Sequence, residues 1–343
     1  MNNLYLPLSR HEMKRAIERN CPPRIPLALA KFWGEGFVKS HGKQLNAFDR
    51  YPDDVEMLWI QPLDVDKMNL SWPVRKGGAR DSASVIRDWS QLDEFIDKFP
   101  DPETDRQIDA LMQQAGKAQQ QDRYTLFCWW RFFFERPWAL RGMENLLTDY
   151  YLYPRQVHKL HDALCNLYCG YIERVAKTLK PDAFFTSDDL GHQSQPMLSH
   201  DLFEEFLYPY YRRVGEVLQR HGLHWWLHSC GNNTPLLPDL IRAGVDVFHP
   251  VQKHTMDYEF VAREFGRDIV FLVGIDVQNL LPSGSPQQVR EEVERIIDIF
   301  DAPDGGCCIG AGNGILPDTP LENIHAYLQH VLDYGSDHRK RFK

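Results

Sequence analysis

The sequence lacks any run approaching 18 apolar residues, and its start, MNNLYLPLSRHEMKRAIERN, lacks the apolar core of a secretory signal. Those two absences predict a cytoplasmic chain with no membrane partner. A basic excess is also missing: Lys and Arg total 39 against 48 Asp and Glu, for a net charge of −9. Nonspecific nucleic-acid binding needs a basic face to neutralise phosphates, so it is disfavoured. Cysteines number seven, an odd count with no secretory context, which argues against a disulfide scaffold and for a reducing compartment. No Gly/Ser linker, low-complexity tract or internal repeat marks a second domain. Neither G-x-x-x-x-G-K-[ST] nor G-x-S-x-G occurs, and the glycines at 310, 312 and 314 lack dinucleotide spacing, so three common phosphate- and ester-handling sites have no support.

What is present is an alternation of short β-rich apolar runs with longer helical segments. About eight runs read as strands: residues 25–30, 55–60, 124–130, 183–187, 223–227, 245–248, 269–273 and 307–310. Helical stretches such as 201–220 and 286–300 lie between the later ones. This pattern predicts an α/β fold, a single-domain (β/α)8 TIM barrel over residues 1–343, with a doubly wound open sheet as the runner-up. Residues 1–20 read as a leading helix with Leu6, Met13 and Ile17 on one side. The stretch 61–123 is too long for one loop and helix, so it is expected to hold an insertion after the second strand: an excursion near 72–87 and a helix at 105–119.

In such a barrel the chemistry sits in the loops after the C-terminal strand ends. Here those positions are polar: Lys31 to Glu35, Arg131, Asp188 to Gln193, His228 to Asn232, His249 to Gln252, Asp276 and Asn313. Single Asp, Asn, Ser and Gly residues favour caps and turns whatever the function, but seven strand ends agreeing makes that a poor account of the set. His228 and Cys230 are the sharpest pair. Two apart at a strand end, they point to one side, and imidazole with thiolate makes part of a zinc shell; a metal-free pair is the equal alternative. Asp189 and Glu204 are the candidates for further oxygen ligands. The bland reading has Asp189 accepting from backbone amides and Glu204 complementing a helix N-terminus. Trp33, Trp130, Arg131, Gln193, Gln252 and Asn313 are the substrate-contact candidates, and Asp189, His228 and Asp276 the catalytic ones. Cys165 with Cys169, and Cys307 with Cys308, read as packing.

Residues 228–252, HSCGNNTPLLPDLIRAGVDVFHPVQ, flanked by SDDLGHQSQPMLSHDLFEEFLYPYY, FLVGIDVQNLLPSGSPQQV and GNGILPDTPLENI, resemble the uroporphyrinogen decarboxylase superfamily, whose members are (β/α)8 barrels. The resemblance is closer to its corrinoid- or coenzyme-linked methyltransferase branch. Against the decarboxylase branch, the arginine-rich MRQAGRY segment has no counterpart among residues 21–43, where Arg24 stands alone, and the GHGI motif reads Gly312-Asn313-Gly314-Ile315. The resemblance implies a methyltransferase that moves a methyl group from a small methylated substrate, such as an aromatic methyl ether, to a corrinoid carried by a partner protein. It also implies zinc held by His228, Cys230 and a distant cysteine. That third position is Asn313, so Asp189, Glu204 or another cysteine completes a different shell, or no metal binds. A tetrapyrrole decarboxylase using Asp189 or Asp276, and a noncatalytic corrinoid or tetrapyrrole binder, stay open. So does assembly as a homodimer.

Overall fold

A computed structural model describes residues 5–72 and 85–342. Seven strands, β1 Val55–Trp59, β2 Tyr124–Trp129, β3 Ala183–Ser187, β4 His224–His228, β5 Val247–Val251, β6 Val270–Ile275 and β7 Cys307–Ala311, form one sheet in sequence order. Every neighbouring pair is parallel, with helices in the crossovers, a TIM-like α/β arrangement. The expected strand at 25–30 is reduced to one bridge, Leu27 with Ile309. Pro26 has no N–H to donate, and Leu29 sits at φ +54°, outside strand geometry. The segment still spans from β7 to β1: Ala28 N–H donates to the Ile309 carbonyl at 3.1 Å, and Asp54 N–H to the Leu27 carbonyl at 2.9 Å.

The helices follow their local signals. Ser285 and Gln288 form a capping box ahead of Pro286–Phe300, and Asp105 caps Arg106–Gln120. The stretch expected as one helix at 201–220 is two, His200–Phe206 and Tyr208–Arg220, because Pro209 cannot continue the first and suits the opening turn of the second. Of the 72–87 excursion, residues 73–84 lie outside the described chain; Trp72 Nε1–H donates to the Val85 carbonyl at 2.7 Å.

Strand alternation divides the apolar residues into two cores. Phe127, Trp129, Phe184, Trp225 and Cys307 pack under the helices. Leu126, Phe185, Trp226, Leu272 and Cys308 face the other way, together with Met13 and Ile17 of the helix Arg10–Ile17. This explains why each Trp and Cys doublet splits. Leu6, expected on the same side as Met13 and Ile17, is exposed. Arg10 anchors the helix at the N-terminal strand ends, its N–H on the Asp122 carbonyl and its guanidinium on Asp182. The C-terminal ends are left for the site.

One buried ion pair ties these parts together. Asp54 accepts from Arg24 Nη1 and Nη2, each at 2.7 Å, and from the backbone N–H groups of Leu8 and Leu27 at 2.8 and 2.7 Å. Removing one partner of such a pair strands the other charge, at about 3–5 kcal/mol. Asp54→Ala is therefore expected to lower unfolding free energy by about that amount in urea titration; a loss under about 1 kcal/mol, the scale of an exposed pair, would show that the clamp carries little.

Candidate active site at the C-terminal strand ends

β3 and β4 run in register, Ser187 opposite His228, so the residues just past them are neighbours. The alternation of side chains continues into the loop. Ser187 and Asp189 face a cavity of about 420 Å³, which His228 and Asn313 also line. Asp188, between them, points away: it accepts from the N–H groups of Phe134 and Glu135, at the start of the helix Glu135–Arg141, and from the Tyr211 hydroxyl at 2.7 Å. Its neighbour Glu135 accepts from the Ser187 hydroxyl and lines the same cavity.

Asp189, His228 and Cys230 present ligand atoms within 4.8 Å of one another. Cys230 Sγ is 3.4 Å and Asp189 Oδ1 3.8 Å from His228 Nε2. The Cys230 N–H donates to Asp189 Oδ1 at 2.9 Å, holding the carboxylate over the pair. Asn313 reaches the sulfur from the loop after β7, its amide nitrogen 3.5 Å from Cys230 Sγ. Behind His228 stands His249, Nδ1 to Nδ1 at 2.8 Å, and His249 Nε2 lies 3.0 Å from the Ala311 carbonyl. Burial lowers His228 to about 4, and burial followed by the His228 neighbour takes His249 well below the ordinary range; both rings are neutral near pH 7. Burial pushes the Cys230 thiol up, with the Asp189 and Glu135 carboxylates adding to it.

Two glycines set how closely these loops pass. Gly231 has φ +85°, and a Cβ there would fall 2.4 Å from the Gly191 carbonyl carbon. A Cβ on Gly191 would fall 2.6 Å from the Cys230 oxygen, so backbone lies directly on backbone beside the cluster.

The other sequence candidates divide. Trp130 and Arg131 line the main cavity; Arg131 adopts φ +70°, an uncommon state for a side-chain-bearing residue, with its N–H on Ser187 Oγ at 3.0 Å. Trp130 stands edge to face with the His228 ring at 5.6 Å. Trp33 lines an adjoining cavity of about 630 Å³ that shares Phe32 and Trp130 with the first. Gln193, Gln252 and Asp276 line a cleft of about 50 Å³ instead, separate from the His228 cavity. Gln252 Oε1 accepts from Gly231 N–H at 2.9 Å, which shapes the Cys230 loop from behind. Burial opposes ionisation of Asp276, but the N–H groups of Asn279 and Gln278 outweigh it and hold the carboxyl below its usual value.

Glu204 is not brought to the cluster. It lies on the helix His200–Phe206 near His200 and near Asp239 of the helix Leu237–Ala243, where Arg242 bonds both carboxylates. That guanidinium already supplies the positive charge, so the expectation of Glu204 as a ligand beside His228 is corrected. His249 and Glu135 were missed. The first was visible only as one polar strand end among several, and the second was hidden in an aromatic run, FFFERPW.

Comparison with known proteins follows the same outline. The profile of the family described as uroporphyrinogen decarboxylase matches residues 139–334. A methylated-thiol–coenzyme M methyltransferase of Methanosarcina mazei is 26% identical over 190 residues, 55% of this chain and 48% of the relative. A uroporphyrinogen decarboxylase of Anaeromyxobacter is 27% identical over 198 residues, 56% of this chain and 52% of the relative. The chain thus spans about half the length of these curated relatives. A solved methyltransferase from Methanosarcina mazei superposes with TM-score 0.63 at 15% identity, covering 95% of this chain and 98% of that one, which is a likeness of fold.

Asp188 generates a pH test of its own. Burial, then the nearby Glu135, raises it to about 8 against the pull of its donors, from 3.8 for the free group. Because the folded value is the higher one, its stabilising share is full below about pH 4 and is lost as pH rises toward 8. Relative to Asp188→Asn, which cannot ionise, wild-type unfolding free energy is expected to fall between pH 5 and 7 by up to about 1.4 kcal/mol per pH unit. Parallel stability curves for the two proteins would mean that Asp188 is ionised throughout.

Proposed function

The chain belongs to the uroporphyrinogen decarboxylase family, and on that footing we propose that it is a methyltransferase, taking a methyl group from a small methylated substrate bound beside Asp189, His228 and Cys230 and delivering it to a corrinoid on a separate protein. The observation that carries this reading is the Asp189–His228–Cys230 cluster itself. A soft thiol, a neutral imidazole and a carboxylate meeting in a cavity suit the activation of a thioether or ether, and they do little for a polycarboxylate. The relatives' names support methyl transfer involving thioethers and corrinoids: one is a methylated-thiol–coenzyme M methyltransferase, and a 22% identical relative is a methylcobamide:CoM methyltransferase, whose name makes the methylated corrinoid the donor. We also read the sheet as a (β/α)8 barrel in one domain, with residues 25–30 as its first strand, supported by their bonds to both β7 and the residue before β1.

Zinc fits the donor set. Edges of about 3.4–3.6 Å are expected between tetrahedral N, O and S ligands at normal zinc distances, and the residues stand at 3.4 and 3.8 Å. When bound by Asp189, His228 and Cys230, the ion would supply Lewis acidity, polarising the ether oxygen or sulfur so that it parts from its methyl group more readily. The chain's own groups position the substrate: Trp130 offers an aromatic edge next to His228, Arg131 a cation across the cavity, and Asn313 an N–H to the Cys230 sulfur. An aromatic methyl ether suits the aromatic wall formed by Phe32, Trp59 and Trp130.

The decarboxylase alternative loses its one N-terminal arginine, since Arg24 is 4% exposed and spent on Asp54. Arg131 and Arg136 in the cavity are what favour it. The two readings separate in one set of assays. Protein purified without chelators is expected to hold about one zinc and to methylate cob(I)alamin from thioether or aryl methyl ether donors. His228→Ala and Cys230→Ala are each expected to lose the metal and at least about 100-fold in rate, a barrier of about 3 kcal/mol, whereas Asn313→Cys should tighten metal binding. Full activity in metal-free protein would remove zinc from the mechanism. Loss of acetate carboxylates from uroporphyrinogen would establish the decarboxylase, and tight corrinoid binding without turnover would establish the noncatalytic binder.

A further inference from the structure

Three strands are joined by a chain of contacts whose proton positions follow from one fact: a carbonyl oxygen has lone pairs and no proton. Ala311, the last residue of β7, presents its carbonyl 3.0 Å from His249 Nε2. Both lie in the dry interior, His249 being wholly buried. A bare ring nitrogen there would set two lone pairs against each other, so Nε2 carries the proton. The ring is wholly buried, with a carbonyl and a second imidazole as its hydrogen-bond partners, so it is neutral and Nδ1 is an acceptor. His228 Nδ1, 2.8 Å away, must then be the donor. Neutral His228 has one proton to place, and it is on Nδ1, so Nε2 is left as a lone pair. That atom faces Cys230 Sγ at 3.4 Å and Asp189 Oδ1 at 3.8 Å.

We propose that His249 is a positioning residue which, anchored on the Ala311 carbonyl, fixes the tautomer of His228 so that its bare Nε2 points into the cavity between Asp189 and Cys230. This rests on the reading of His228 as an electron-pair donor at that site. Without an acceptor behind it, an imidazole distributes its proton over both nitrogens, and the Nε2–H form presents a proton where a lone pair is needed. An orienting bond of this kind, to the nitrogen opposite the metal-binding one, typically changes metal affinity by about 10- to 100-fold. Ala311 directly precedes Gly312 and Asn313, so the loop whose amide meets the Cys230 sulfur is also the loop on which the histidine chain ends.

The test reads the tautomer directly. In protein with 15N-labelled histidine side chains, with the His228 signals assigned by their loss in His228→Gln, metal-free wild type is expected to show protonated Nδ1 and bare Nε2. His249→Phe, which keeps a ring but offers no acceptor, should shift His228 toward the Nε2–H form. It should also weaken binding of Co(II), followed by its visible absorption, by about 10- to 100-fold. His249→Asn, whose side-chain oxygen can take the place of Nδ1, should restore the wild-type tautomer and bring Co(II) affinity back to within a few-fold. Finding His228 with Nε2 protonated in wild type would overturn the proposal without needing any variant, and so would an unchanged tautomer in His249→Phe. Absence of Co(II) binding in wild type with the tautomer as stated would instead count against the zinc reading, leaving the histidine arrangement standing.

Discussion

Every strand of the sheet runs in the same direction, and this single constraint decides where everything else goes. Parallel strands gather all their C-terminal ends at one face and all their N-terminal ends at the other. At the N-terminal face the helix Arg10–Ile17 lays Met13 and Ile17 against the inner core and ties Arg10 to Asp122 and Asp182. The opposite face is then free to collect polar side chains without breaking a hydrophobic seal. Register does the finer placement: Ser187 opposite His228 at two strand ends, and His228 opposite His249 within β5, so residues far apart in the chain meet within hydrogen-bonding distance.

The chemistry of that face is one of neutral donors held dry. Burial disfavours charge on both histidines and on the Cys230 thiol, while the Cys230 N–H holds the Asp189 side chain at the edge of the cluster. A cation held among Asp189, His228 and Cys230 would stabilise a thiolate and use the imidazole lone pair without asking it to ionise. The second group, His200, Glu204 and Asp239, has Arg242 bonded to both of its carboxylates.

Much of this was legible in the residues. Periodicity located the β3 run residue for residue and the helix Pro286–Phe300 likewise, since their apolar spacing and capping signals are local. His228 with Cys230 was legible too, because a spacing of two on a strand has only one geometric meaning. What escaped depended on distant partners. His249 acquires its role from the register of β4 with β5 and from a carbonyl in β7, neither of which leaves a local trace. Glu204 sat near the right rim by helix count, yet the helix turned it toward Arg242. At 25–30 the apolar content was right for a strand, but Pro26 and the left-handed Leu29 restrict it to a bridge.

The contact between Gly191 and Gly231 has a consequence for how this site can change over time. Because each position is closed by the other's loop backbone, any side chain at one requires the opposite loop to retreat, and with it either Asp189 or Cys230. The two loops therefore form a single unit of variation: sequence drift that alters the rim of this cavity has to proceed through the loops after the other strands, leaving this pair as the hinge around which new substrate pockets can be tried.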